Sequence, residues 1–140
     1  MRTKEQMVAL LRAAGVTKEF KPYDLPEQLS FALEVNRPAK IVDGILHGVE
    51  IIFGQGGAVI WTDQDVKAGA YAKAHELKVR KFTGHEAELT VPGRLCDTIL
   101  PQFGAKVKKR YSEASKAAAS ARLKSILLAK NPAYKPVPEA

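Results

Sequence analysis

Asp43, His47 and Glu50 bring two carboxylates and an imidazole into one short stretch. These residue types bind a divalent metal or activate water by general base catalysis. On a strand, residues 43 and 47 share a face, and residue 50 points away unless a bulge at Gly48 resets the register. A nuclease pattern of the type Asp…Glu-x-Lys would want lysine where Ile52 stands. His75-Glu76 and His85-Glu86 each begin like a helical zinc motif, but Val79 and Leu89 occupy the places of the second histidine. The sequence therefore holds no metal site and calls for no cofactor, and these groups read as solvent-facing polar residues. A hydrolase centred on His47 is the minor alternative to a non-enzymatic protein.

Two further stretches invite a chemical reading and fail it. Gly54-Gln55-Gly56-Gly57 resembles a phosphate-cradling loop, but such loops run from a strand into a helix. This one leads into Ala58-Val59 and reads as a hairpin turn. Cys96 is the only cysteine and has apolar neighbours, so it reads as a buried thiol. One cysteine forms no intrachain disulfide, and a reducing, cytoplasmic setting is the expectation. Apolar runs fall short of a membrane span, and the first helix is amphipathic rather than a leader.

Charge is the strongest functional signal. Residues 1–103 hold 13 Lys/Arg and 13 Asp/Glu, a net of zero, whereas residues 104–140 hold nine Lys/Arg against Glu113 and Glu139, a net of +7. The segment 105–130 lacks glycine and proline and is rich in Ala, Lys, Arg and Leu, which predicts one long helix. Val107, Tyr111, Ala114, Ala118 and Ala121 would form its apolar stripe, with Lys106, Lys108, Lys109, Arg110, Lys116, Arg122 and Lys124 on the charged face. Such a face matches phosphate backbone of DNA or RNA, because each neutralised phosphate releases a counterion. Lysine acts there as a point charge, so low sequence specificity is expected. Mostly alanine on the apolar side argues against a membrane surface. The Ala114/Ala118/Ala121 stripe and Ile126-Leu127-Leu128 would suit a homodimer through this helix.

The elements that must position these residues follow from periodicity and caps. Thr3 and Gln6 have capping-box spacing, and Met7, Leu10, Leu11 and Ala14 recur at helical spacing over 4–14. Asp24-Leu25-Pro26-Glu27 resembles a second cap. It favours a short helix ending before Asn36, although Phe31, Leu33 and Val35 also alternate like a strand. Residues 41–62 read as a hairpin about the Gly-rich turn, with Gly44 and Gly48 marking a bulge or two short strands. Thr62 and Asp63 are expected to cap a helix over 64–77 with Val66, Ala70, Ala74 and Leu77 inward. Strands over 79–83 and 86–91 and a helix over 94–100 complete the body. The prediction is an α+β domain with a small, mostly antiparallel sheet: a neutral body over 1–104, a basic helical arm over 105–130 and an extended tail over 131–140.

Two functions from different classes suit this plan. The first is a non-enzymatic nucleic-acid-binding protein that uses the arm. The alternative is a small adaptor or inhibitor, phage-like or accessory in size, that binds an acidic protein surface with Phe53 and Trp61 as apolar anchors.

Overall fold

A computed structural model of the chain describes residues 2–25, 30–54, 56–108 and 121–122. The Thr3 signal forms both halves of the capping box: the Gln6 N–H donates to Thr3 Oγ1 at 3.2 Å and the Thr3 N–H to Gln6 Oε1 at 2.8 Å. Helix α1 (Lys4–Ala13) follows and buries Met7 and Leu11. Among the described residues the chain then builds β1 (Pro22–Asp24), β2 (Phe31–Leu33), β3 (Lys40–Val42), β4 (Ile45–His47), β5 (Val49–Gly54) and β6 (Gly57–Thr62). Helix α2 (Asp65–His75), β7 (Val79–Lys81), β8 (Ala87–Pro92), α3 (Gly93–Ile99) and a 3-10 turn over Leu100–Phe103 come after them.

Six strands form one sheet in the order β1-β2-β5-β6-β8-β7, every neighbouring pair antiparallel, while β3 and β4 form a separate hairpin. The fold is α+β. Side chains alternate across a strand, and here one face carries Phe31, Leu33, Ile51, Phe53, Ile60, Leu89 and Val91, all buried. Met7 and Leu11 of α1, Ala68 and Ala72 of α2, and Cys96 and Ile99 of α3 pack into the same core. The opposite face is open and bears Tyr23, Glu50, Trp61, Arg80 and Thr90, all exposed.

The predicted short helix before Asn36 is a strand, β2. Phe31 stands opposite Phe53 and Leu33 opposite Ile51, so the period-two alternation of large apolar residues meets a ready partner on β5. Asp24, expected as the helix cap, belongs to β1, and its carboxylate accepts from the Arg2 N–H at 2.9 Å and the Arg2 guanidinium at 3.2 Å. Residues 26–29 of that prediction lie outside the described residues.

Helix α2 stands where expected and Leu77, just after it, packs against the core as expected, but another face of the helix turns inward. Val66 is 77% exposed, Ala70 and Ala74 are also exposed, and Ala68 and Ala72 are buried. The small alanines let the helix approach the sheet closely, and Tyr71 tilts against Phe103 with centroids 5.7 Å apart. Its start also departs from the Thr62/Asp63 cap. Asp63 is drawn away to Arg37 at 2.6 Å and the Gly48 N–H at 3.2 Å, and Thr62 Oγ1 accepts only from the Gln64 N–H at 3.1 Å.

Asp97 of α3 ties the loop after α1 to the core. It accepts from the Thr17 hydroxyl at 2.6 Å, the Thr17 N–H at 3.0 Å and the Lys18 N–H at 2.8 Å. Desolvation is the largest single influence and raises its pKa. The hydrogen bonds from Thr17 and Lys18 and the Lys18 charge together outweigh it, leaving the carboxyl below its ordinary value of 3.8. A depressed carboxyl stabilises the fold fully above its unfolded value, and that contribution is lost as pH falls through the folded one. Asp97→Asn should therefore cost about 1–2 kcal/mol at neutral pH, and the difference from wild type should shrink below the ordinary carboxylate range. Urea melts at neutral pH and near pH 3 check this; an equal difference at both would assign the effect to shape rather than charge.

Candidate nucleic-acid interface

The cationic segment begins in a conformation that its composition does not predict. Residues 105–108, expected as the first turn of the long helix, run extended: Ala105 bridges Val35 and Val107 bridges Phe20, both antiparallel. The Lys106 N–H donates to the Glu34 carbonyl at 2.9 Å and the Lys108 N–H to the Glu19 carbonyl at 2.8 Å. These carbonyls belong to chain edges that need donors, and satisfying them outweighs a few tenths of a kcal/mol per residue of helix propensity. In this extended run Ala105 is buried, Val107 half-buried, and Lys106 and Lys108 exposed.

The two lysines meet different surroundings. Lys106 shares a cleft of about 460 Å³ with Tyr23, Glu34 and Glu50. Burial, then the charges of Glu50 and Glu34, raise the Tyr23 pKa. Two carboxylates face a single cation, Lys106, among the described residues of this lining, and they oppose a phosphate there. Lys108 lies in a second cleft, between α1 and the loop that follows it.

The chain divides into two units, Met1–Lys108 and Lys109–Ala140. In the second, the described residues Ala121 and Arg122 are helical and exposed. Lys109, Arg110, Lys116 and Lys124 lie outside the described residues, as do Ala114, Ala118 and Ile126-Leu127-Leu128, on which the homodimer reading rests.

Of the two apolar anchors, Phe53 is corrected. It is 1% exposed, on the inner face of β5 and against Phe31 at 5.4 Å, so no partner reaches it. Trp61, on the outer face of β6, is 37% exposed and stacks on Phe82 with centroids 5.9 Å apart. A more exposed apolar group went unremarked in the sequence: Ile41 at 69%, Ile45 at 57% and Val42 at 45% surround the tip of the β3–β4 hairpin. The signal for it is Asp43-Gly44. Both residues have positive φ, 53° and 78°, as a two-residue hairpin turn of mirror-image type requires.

That turn also separates the groups weighed for catalysis. Asp43 sits at the hairpin apex, His47 pairs with Lys40 at its base, and Glu50, on β5 beyond Gly48, pairs with Trp61 of β6. His47 shares its cleft with Arg37 and Lys40, a cationic setting that disfavours a metal ion. Among the described residues no group of three or more His, Cys, Asp or Glu is placed to hold a metal.

His75 stacks on Tyr71 at 6.3 Å, and the exposed His85 lies 3.3 Å from Asp65. Cys96 is buried, and desolvation followed by the Asp97 charge pushes its thiol up to about 12. A thiol so disfavoured as thiolate is a poor nucleophile. The Gly-rich stretch turns β5 into β6, with Gly54 paired to Gly57; Gln55 lies outside the described residues. No described helix is long and apolar enough to cross a membrane. No protein-family model, no curated protein and no solved structure matches the chain.

Proposed function

We propose that the chain is a non-enzymatic protein that binds nucleic acid by its phosphate backbone, with low sequence specificity. The observation that carries this reading is the charge division: nine Lys/Arg against two Glu after Phe103, beside a stretch that sums to zero. An ordinary solvated helix face intersperses both signs, and this segment is almost wholly cationic. Seven of the nine are lysines, which supply attraction without the bidentate forks that read base edges. Lys108 is exposed and its N–H donates to the Glu19 carbonyl, which supports a contact at that position.

The test uses the full chain and a variant carrying Lys109→Gln, Arg110→Gln, Lys116→Gln, Arg122→Gln and Lys124→Gln. Both are titrated against labelled duplex DNA and single-stranded RNA at several salt concentrations. Each lost phosphate contact should reduce the salt slope by about one, so the five changes should flatten it by about five. A wild-type chain that does not bind at low salt, or a variant that binds like wild type, would reject the proposal.

A protein partner is the second reading, and the exposed Ile41, Val42 and Ile45 favour it over the anchors expected from sequence. Under that reading Trp61 remains a plausible contact and Phe53 does not. The low-salt outcome above separates the two, because a chain that ignores nucleic acid leaves the apolar hairpin as the leading surface.

A further inference from the structure

Five cations from three parts of the chain line one cleft of about 520 Å³: Lys4 and Arg12 of α1, Lys18 and Lys21 of the following loop, and Lys108. Glu19 and Glu34 share the lining, so five positive charges face two negative ones, a local net of +3. This excess stands within a body whose residues 1–103 sum to zero.

Hydrogen bonds fix the Arg12 side chain and the Lys18 and Lys108 backbones, and the Lys18 charge also acts on Asp97. Arg12 donates to the Val16 carbonyl at 2.8 Å and the Lys18 carbonyl at 3.2 Å, folding the loop back on α1. Asp97 grips the Lys18 backbone at 2.8 Å. The Lys108 N–H reaches the Glu19 carbonyl, and the Phe20–Val107 bridge sets that strand beside the loop. Lys4, Lys18, Lys21 and Lys108 are all exposed, and none is in a salt bridge among the described residues. With five cations against two carboxylates the surplus positive charge repels itself, and an anionic ligand relieves that repulsion.

We propose that this cleft is a second phosphate site, on the body of the protein, that takes nucleic-acid backbone in addition to the cations beyond Lys108. The inference rests on the nucleic-acid reading above and adds a site to it. Phosphodiester backbone fits better than an acidic peptide. Four of the five cations are lysines, point charges suited to a run of phosphates, while the one guanidinium has its Nη1 on two backbone carbonyls.

The test is a full-length chain carrying Lys4→Gln, Lys18→Gln and Lys21→Gln, with Arg12 left intact for its structural bonds. Its melting temperature should match wild type, and its salt slope on duplex DNA should be shallower by about three. Because Lys18 neighbours Asp97, a Lys4→Gln/Lys21→Gln chain serves as the second variant and should lose about two. If both variants bind DNA with the wild-type slope while the five-fold variant after Lys108 does not, the cleft proposal falls and the arm reading stands. If the wild type binds no nucleic acid, both fall. Polyglutamate is the second probe: binding of it that needs these lysines, with DNA binding unaffected, would assign the cleft to an acidic protein and overturn the proposal.

Discussion

Raising the salt from about 50 to about 200 mM should weaken binding of duplex DNA by the intact chain about 10³- to 10⁵-fold. The magnitude comes from counterion release rather than from any single contact. Duplex DNA carries a condensed layer of cations, and every phosphate neutralised by a protein cation frees about 0.9 of one. Lys108, Lys109, Arg110, Lys116, Arg122 and Lys124 make six contacts available, before Lys106 or the other cations of the α1 cleft are counted. Six to ten contacts give the range stated. Lys106 should add little, because Glu34 and Glu50 line its cleft, and Lys106→Gln should leave the slope almost unchanged.

Single-stranded RNA should show a shallower dependence, since each contact there releases about 0.7 of a counterion. An acidic protein carries no comparable condensed layer, so its binding would respond to salt far less steeply. A fluorescence anisotropy titration at four salt concentrations reads the slope directly. A slope near zero would remove phosphate contact as the basis of binding.

Gly93→Ala should destabilise the body by about 3 kcal/mol, the upper end of the cost of forcing atoms into a packed site. Gly93 opens α3 directly after β8, and its N–H donates to the Gly56 carbonyl at 3.0 Å. A Cβ there would stand 2.2 Å from the Ala14 carbonyl oxygen, 2.7 Å from the Gly56 carbonyl oxygen and 3.0 Å from the Ala14 Cβ. The two nearest atoms are backbone, so no side chain can swing aside. Relief requires α3 to withdraw from both the end of α1 and the β5–β6 turn, which would loosen Cys96 and Ile99 in the core.

Gly69→Ala is the matched comparison and should go the other way. Its Cβ would meet only the Lys81 Nζ at 3.0 Å and Cε at 3.3 Å, the movable end of a long side chain. Alanine is favoured over glycine by about 1 kcal/mol in a helix interior, so this change should be neutral or stabilising. Denaturant melts of both variants decide the matter. Equal and small effects would mean that the approach of α3 to α1 is looser than these distances require.

Local signals in the sequence determined the elements whose stability is local. Thr3 and Gln6 form their capping box from neighbouring atoms alone. The β5–β6 hairpin, the alternating β8 and the inward Cys96, Ile99 and Leu100 follow from turn residues and periodicity. The neutral body and cationic C-terminal segment are properties of composition and need no fold to establish them. Tertiary structure decided what depends on distant partners. Residues 31–33 suit helix or strand until β5 supplies a facing row of Ile51 and Phe53. Residues 105–108 have a helical composition, yet the open carbonyls of Glu19 and Glu34 draw them into an extended run. The inner face of α2 was set by how closely alanine lets a helix approach, not by where its valine falls. Phe53 and Trp61 look alike in sequence, and only the register of β5 and β6 turns one into the core and leaves the other exposed. The α1 cleft was hidden for the same reason. Lys4, Lys21 and Lys108 are scattered along the chain, and their charges add up only where the fold brings them together.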